Sequence, residues 1–518
     1  MSLLSAIFLL PLLAAVLLVF IPRNYRVLFR LLALGATFVS MLLAFALFLR
    51  FDAAPVVDGY RFVYQHDWVN FAAANLVISY HVGVDGINLG LIVMGAVVGF
   101  AATCCSWEIK TRDKEYYVLL LLMIGGILGA FASLDLFFLY FFHELALVPT
   151  FIMIGVWGRG ERKNYATFQI TMYLSVGALL ALFGLIALYV QSGVASFDLV
   201  TLTKHIKGTA NSLPHPIPGG AQQLIFPLLL FGFGILVSLW PFHTWAPLGY
   251  GSAPTATAML HAGVIKKFGL YALLRVALPL VPEGAQSWLH IVAFLCLGNL
   301  VYCGLVAMRQ KDLNLLIGNS SVAHMGFVFL GLASLSLVGV TGAVLVMVAH
   351  GLLAALTFGL SGYLYQHTGT LQMDQLGGLL RRMPFIGAAL VMAMLAGCGL
   401  PGFANFAGEV MALFGAWQSF PLVVVFAAWA ALVIGAVYML RAVRNVLHGP
   451  LPDALALVPD ANAWRKVPFV LLLAGLIALG VWPRLLTDKI QPDAAVIVRL
   501  AGGEAEIPTL PAKAARNK

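Results

Sequence analysis

Leu224-Ile-Phe-Pro-Leu-Leu-Leu-Phe-Gly-Phe-Gly-Ile-Leu-Val-Ser-Leu-Trp-Pro-Phe-His-Thr-Trp-Ala-Pro247 carries no charged residue, yet proline and glycine interrupt it. An apolar run of this length is what a helix needs to cross ~30 Å of hydrocarbon. Its second half, from Ser238 to Pro247, cannot continue as regular helix, because Pro241 lacks an N–H and its ring clashes with the preceding turn. A later run breaks in the same manner, at Gly397-Cys-Gly-Leu-Pro401-Gly402-Phe-Ala-Asn405-Phe. Interrupted helices at membrane depth are tolerated only inside protein or beside a wet cavity. The pair therefore predicts an all-α polytopic membrane protein with a polar interior.

Composition agrees. Of 518 residues 61% are hydrophobic and only 10% are charged, with a mean hydropathy of +0.96. That excludes an ordinary soluble domain, and a β-barrel would need alternating segments of about ten residues rather than continuous runs. Apolar runs fall near 2–21, 28–49, 84–105, 116–133, 135–157, 165–190 and 222–245, then near 254–279, 287–308, 313–333, 336–366, 385–416, 421–445 and 466–487. About fourteen spans are expected, with spans seven and twelve broken. The first run has its basic residues after it, at Arg23, Arg26 and Arg30, which fits a retained helix rather than a cleaved signal.

Basic residues recur after odd-numbered spans: Lys110 and Arg112, Arg159 and Arg162, Arg309 and Lys311, Arg381 and Arg382, Arg441 and Arg444. The positive-inside rule makes those loops cytoplasmic and puts both termini outside, the basic tail at Lys513, Arg516 and Lys518 being the one feature that runs against it. Stretches 51–80 and 191–221 then read as external loops. The net charge of +9 is spread over these short loops and is no nucleic-acid signature. The breaks lie five spans apart, and an odd offset means antiparallel helices, the trace of an inverted repeat. The division expected is 1–110 for three leading helices, 116–279 and 287–445 for two five-helix repeats, and 446–518 for a loop, the last helix and a tail. None of the five cysteines forms a CxxC or a Cys/His set, and there is no P-loop or dinucleotide fingerprint, so no metal or redox cofactor is expected on this chain.

Ionisable residues stand mid-run at Glu144, Lys267 and Glu409. Each costs roughly 2.5–3.5 kcal/mol at a span centre, and such residues usually mark an ion or proton path. Lys266 adjoins Lys267, about 100° away on a helix, so one could pair while the other titrates. His324 follows Ser320 and Ser321 at helical spacing, and His350, Thr357 and Ser361 form a similar stripe. Imidazoles both accept and donate protons near neutral pH; the plainer reading is a pair of hydrogen-bonded interhelical histidines. Aromatic packing beside a helix break explains His143, His243 and His261 as readily as chemistry does. Glu409 follows the second break and could exchange protons with water admitted there, or rest at a helix N-terminus.

Several motifs carry a resemblance: Gly83-Val-Asp-Gly86, Phe142-His-Glu144 ahead of Pro149, Pro241-Phe-His-Thr-Trp245 with Ala253-Pro-Thr255, Lys267-Phe-Gly-Leu-Tyr271, Ser320-Ser-Val-Ala-His324-Met-Gly326, and Gly399-Leu-Pro-Gly402 leading to Gly408-Glu409. From about residue 80 to 445 the chain resembles the antiporter-like subunits of respiratory complex I, the proton-pumping NADH:quinone oxidoreductase, in particular chain M. The absence of a long lateral C-terminal helix distinguishes it from the chain L type.

The resemblance implies fourteen helices, two inverted repeats of five, and proton transfer along a central axis by Glu144, Lys267, His324, His350 and Glu409, with His243, Lys266 and His143 secondary. It implies NAD, FMN, iron–sulfur clusters and quinone in partner subunits, neighbours of the chain L and N types, and a bacterial inner or equivalent energy-coupling membrane. One departure stands out. The family usually has a lysine five residues before the proline matched by Pro241, and here that position is Leu236, with Ser238 in place of a following proline. Glu144 thus loses its expected cation, and water or His143 is its expected nearest polar contact. Asn314 and Leu315 likewise stand where basic residues are common. Two other readings follow: a subunit of a multi-subunit Mrp-type cation/proton antiporter, and a structural paralogue that fills a membrane arm without pumping.

Overall fold

The computed structural model describes residues 2–71, 76–208, 212–503 and 505. The tail with Lys513, Arg516 and Lys518 lies outside the described residues. Helices occupy all fourteen expected runs. Twelve of them are individually long and apolar enough to cross a membrane, among the described residues. The other two are the eighth, Thr255–Leu280, built of short α and π segments, and the twelfth, split into Pro384–Gly397 and Ala404–Ala416.

Both expected breaks are present. The seventh span runs as helix over Gly219–Val237, reverses at Ser238 with φ +72°, and resumes at Trp245–Ser252. Asn299, fully buried in span nine, stitches this gap. Its Oδ1 accepts from Trp240 N at 2.8 Å, and its Nδ2 donates to Ser238 O and Val322 O, each at 3.0 Å. Backbone groups freed by a break must find partners in a dry interior; one amide supplies two of them and ties the break to span ten through Val322.

Spans ten (Leu313–Ala333) and eleven (Leu337–Thr368) form the centre of the bundle; the most apolar windows of these two helices are 94% and 100% buried. Between lipid-facing helices the hydrophobic effect gives no drive, so close contact of small residues holds the centre together. A Cβ on Gly342 would lie 2.6 Å from Ala412 N, and one on Gly408 would lie 2.9 Å from Val346 N. That glycine seam draws the second half of span twelve onto span eleven and carries Glu409 inward with Gly408.

Three segments differ from the sequence expectation. Residues 51–80 are not a simple loop: Arg61–Phe71 and Leu76–Val84 pair as an antiparallel hairpin. Within 191–221 lies a short helix, Leu199–Lys207. The hairpin and this helix lock together through His81 and Asp198, and Asp135 beside them accepts from Ser79 N and from Phe137 N, starting the helix that carries Glu144. The last run was expected over 466–487, but its helix spans Ala463–Val481 and stops at Trp482-Pro483. A further helix, Arg484–Leu500, folds back on the bundle instead of trailing as a tail. Its Asp493 Oδ2 accepts from Gly86 N at 2.6 Å, and its Lys489 pairs with Asp52.

Side-chain links join ends that the charge pattern puts on one side. Arg23 meets Glu115 at 2.7 Å, and Glu108 accepts from Thr255 N at 2.9 Å, all on the basic-loop side. At the opposite side Asp85 caps span three and is held by both terminal nitrogens of Arg275 at 2.6 Å.

Candidate functional site

Span eight positions the first element of the site. His261–Ile265 forms a wide π turn, a feature frequent at functional sites because it leaves a carbonyl without its usual partner. Lys267 donates to one such carbonyl, that of Ala262. Its Nζ also lies 2.8 Å from His350 Nδ1 on span eleven. Lys267 is fully buried, so both contacts replace lost hydration.

His350 packs beside His324 of span ten, with ring centroids 5.4 Å apart. The His324 ring is fixed by its own helix and by the broken one: Nδ1 lies 2.7 Å from Ser320 O, and Nε2 lies 3.1 Å from Gly397 O. The same Nε2 is 3.7 Å from Glu409 Oε1. Glu409 reaches it because span twelve is open at Cys398–Phe403, where Gly399 adopts φ +67°. A Cβ at Gly399 would sit 2.8 Å from Glu409 Oε2. A cavity of about 20 Å³, lined by His324, Glu409, Cys398 and Tyr438 among others, has room for one water beside this pair.

Four predicted residues from four spans thus make one line: Lys267, His350, His324, Glu409. Lys267 and His350 are in direct hydrogen-bond distance, the two imidazoles lie side by side, and His324 and Glu409 are 3.7 Å apart, an arrangement of the kind a proton relay uses.

Glu144 stands apart from that line. Its Oε1 is 3.5 Å from His143 Nδ1, and its side chain is 30% exposed at the surface of the chain. Among the described residues no Lys or Arg pairs with it, as expected from the replacement of lysine by Leu236, itself buried. His143 points inward, stacked on Phe268 at 4.0 Å and 15°. Phe268 directly follows Lys267 in span eight.

The adjacent lysines face different partners. Both are buried and both are hydrogen-bonded, Lys266 to Ser321 O at 3.2 Å and Ser321 Oγ at 3.3 Å. Of the two hydroxyl stripes, that of span ten is real at Ser320, whose Oγ is 3.3 Å from His324 Nδ1 and accepts from Tyr438 OH at 3.2 Å. On span eleven Thr357 and Ser361 donate to carbonyls of their own helix. His243 packs edge-on to Tyr302, and His261 lies against Trp245 and Tyr250, as aromatic packing beside the break predicts.

Sequence reasoning missed Tyr438, Asn299 and the Arg275–Asp85 pair. Tyr438 could have been found as a hydroxyl inside the apolar thirteenth span, and Arg275 as a charge near the end of the eighth. Asn299 could likewise have been found as an amide in the middle of the apolar ninth run, though not its role at the break.

Residues 133–435 match the family described as NADH:quinone oxidoreductase/Mrp antiporter, TM. NADH-quinone oxidoreductase subunit M of Rhodobacter capsulatus is 34% identical over 512 residues, 96% of each chain. A chain of respiratory complex I from Thermus thermophilus superposes with a TM-score of 0.85 at 27% identity, covering 96% of this chain and 100% of that one. A chain of the Mrp complex from Dietzia shares the fold, with a TM-score of 0.81 at 18% identity over 97% and 100%. The chain belongs to the NADH:quinone oxidoreductase/Mrp antiporter family of membrane proteins.

Proposed function

We propose that this chain is a chain M-like membrane-arm subunit of a complex I-like NADH–quinone oxidoreductase, and that it translocates protons driven by redox chemistry in other subunits. The observation that carries the reading is the line from Lys267 through His350 and His324 to Glu409. In it Lys267 and His350 exchange a proton directly, His324 passes it on, and Glu409 trades it with water admitted at the break of span twelve. Glu144 and His143 sense charge at the opposite end, with His143 taking the place of the missing lysine as the carboxyl's partner. The intact line weighs against a subunit that fills the arm without pumping.

On this reading NAD, FMN, iron–sulfur clusters and quinone reside in partner subunits, the immediate neighbours being of the chain L and N types. The basic loops face the cytoplasm, both termini face outward, and the two helix breaks mark inverted repeats. The test is purification of the tagged chain in mild detergent, with identification of the co-eluting proteins and assay of NADH–quinone activity. Co-elution of a redox arm supports the reading. Co-elution with small antiporter subunits and no redox protein replaces it with the Mrp-type one.

A further inference from the structure

On the basic-loop side a groove of about 480 Å³ opens between span two and the start of span fourteen. Its walls are apolar, with Leu34, Phe100, Val467 and Phe469 prominent. Phe469 lies six residues inside its helix and Phe100 five residues from the end of its own. At 1.5 Å per residue the groove therefore reaches about 8–9 Å below the helix ends, well into acyl-chain depth. Gly359 and Gly362 of span eleven line it as well, where they let Phe469 and Thr255 pack closely.

The mouth has the opposite character. Trp107 and Trp464 stand there, 44% and 85% exposed, in the manner of interfacial aromatic residues. Two guanidinium groups flank them. Arg465 donates to Gln366 Oε1 at 3.0 Å and lies over the Tyr363 ring, while Arg30 lies over Trp107 at 4.8 Å and donates to Ile109 O at 3.1 Å. The Nε of Arg30 is buried without a partner. Among the described residues neither arginine is paired with a carboxylate. The nearby acid, Glu108, has both oxygens committed to Thr255, at 2.9 Å from its N and 3.0 Å from its Oγ1. The groove therefore combines an apolar slot with two cations at headgroup height, Arg465 in its lining and Arg30 against Trp107, over one carboxylate, Glu108, whose oxygens are turned to Thr255. Basic pockets of this kind between spanning helices bind anionic lipid headgroups.

We propose that this groove binds one anionic glycerophospholipid from the leaflet on the basic-loop side, its phosphate against Arg465 and Arg30 and an acyl chain between Leu34, Phe100 and Phe469. The lipid ties span two to span fourteen, which are remote in the chain and flank the core helices three and eleven.

The probe is a phosphatidylglycerol bearing a diazirine on its acyl chain, presented to the whole purified complex in phosphatidylcholine nanodiscs, with crosslinked peptides read by mass spectrometry. Crosslinks are expected in 94–108 and 462–476, competed by unlabelled phosphatidylglycerol and not by phosphatidylcholine. The double variant Arg30→Gln/Arg465→Gln should lower their yield about tenfold, as two surface cations predict. Leu34→Trp, which fills the slot and leaves the charge unchanged, should do the same. Equal competition by the zwitterionic lipid overturns the proposal. So does an unchanged yield in both assembled variants, or a neighbouring subunit's peptide in the groove. If the arginine variants fail to assemble, the competition experiment on the unaltered complex decides alone.

Discussion

Gly399→Ala separates the geometry of the relay from the stability of the fold. Gly399 has φ +67°, a conformation that costs an L-residue about 1–2 kcal/mol. Against a net stability of about 5–15 kcal/mol that loss leaves the chain folded. The new methyl, however, would stand 2.8 Å from Glu409 Oε2, where ordinary contact begins at 3.4 Å. Relief requires a displacement of roughly 0.6 Å, and the Glu409–His324 separation of 3.7 Å has no slack for it. Misplacement of reacting groups by about 1 Å costs about 100-fold, so a loss of roughly tenfold in proton translocation is expected. Gly402→Ala is the control: Gly402 has φ +101° and nothing lies within 4 Å of a Cβ there, so it carries backbone strain without touching the carboxylate. Both variants are assembled into proteoliposomes, and NADH-driven acidification is followed with a pH-sensitive dye alongside native-gel measurement of assembly. Equal losses in the two variants, or wild-type translocation by assembled Gly399→Ala, would refute the placement of Glu409 in the path.

Lys267→Ala should impair translocation more than Lys266→Ala, because Lys267 contacts His350 whereas Lys266 donates to Ser321; equal loss in assembled complexes would point to a shared packing role. Leu236→Lys should restore a cation for Glu144 and alter the ratio of translocation to NADH oxidation. Adding Glu144→Gln should cancel that change in a double-mutant cycle, and additive effects would show that the two positions do not couple. Asp493, in the helix after the last span, is pushed up to about 6, chiefly by burial and then by the charge of Asp85. Its value in the unfolded chain is about 3.9. A carboxyl raised on folding contributes stability that is present below its unfolded value and lost as pH rises through its folded one. Asp493→Asn, neutral throughout, should therefore raise the melting temperature at pH 8 and leave it nearly unchanged at pH 4; a lower melting temperature at pH 8 contradicts that environment.

The spans were legible because a membrane imposes length and apolarity on each one separately. The two breaks were legible because proline and glycine act locally at Pro241 and at Pro401-Gly402. Individual relay residues could be picked out since a charge or imidazole in hydrocarbon is conspicuous by itself. Their order was not legible. The approach of Lys267 to His350 depends on a π turn at His261–Ile265, which no periodicity in an all-apolar helix reveals. The inward placement of Glu409 depends on the Gly342–Gly408 seam between two distant segments. The hairpin at 61–84 lacked clean alternation, and its attachment to the helix at 199–207 and the segment before it rests on contacts across more than a hundred residues, among them His81–Asp198 and Val77 N to Ala195 O. Leu236 was the most telling residue in the sequence, and its consequence, a glutamate with no Lys or Arg paired to it among the described residues and His143 Nδ1 at 3.5 Å, is what the structure contains.

The central claim is that protons pass along Lys267, His350, His324 and Glu409, and His350→Gln tests it most directly. The amide can still accept a hydrogen bond from Lys267, so packing is kept, but it cannot take up and release a proton. The measurement is the initial rate of NADH-driven proton translocation by the assembled variant complex in proteoliposomes, beside the unaltered complex. The account predicts a fall of about 100-fold or more, the low end of what removal of a positioned proton carrier costs. An assembled His350→Gln complex that translocates protons at the unaltered rate would contradict it.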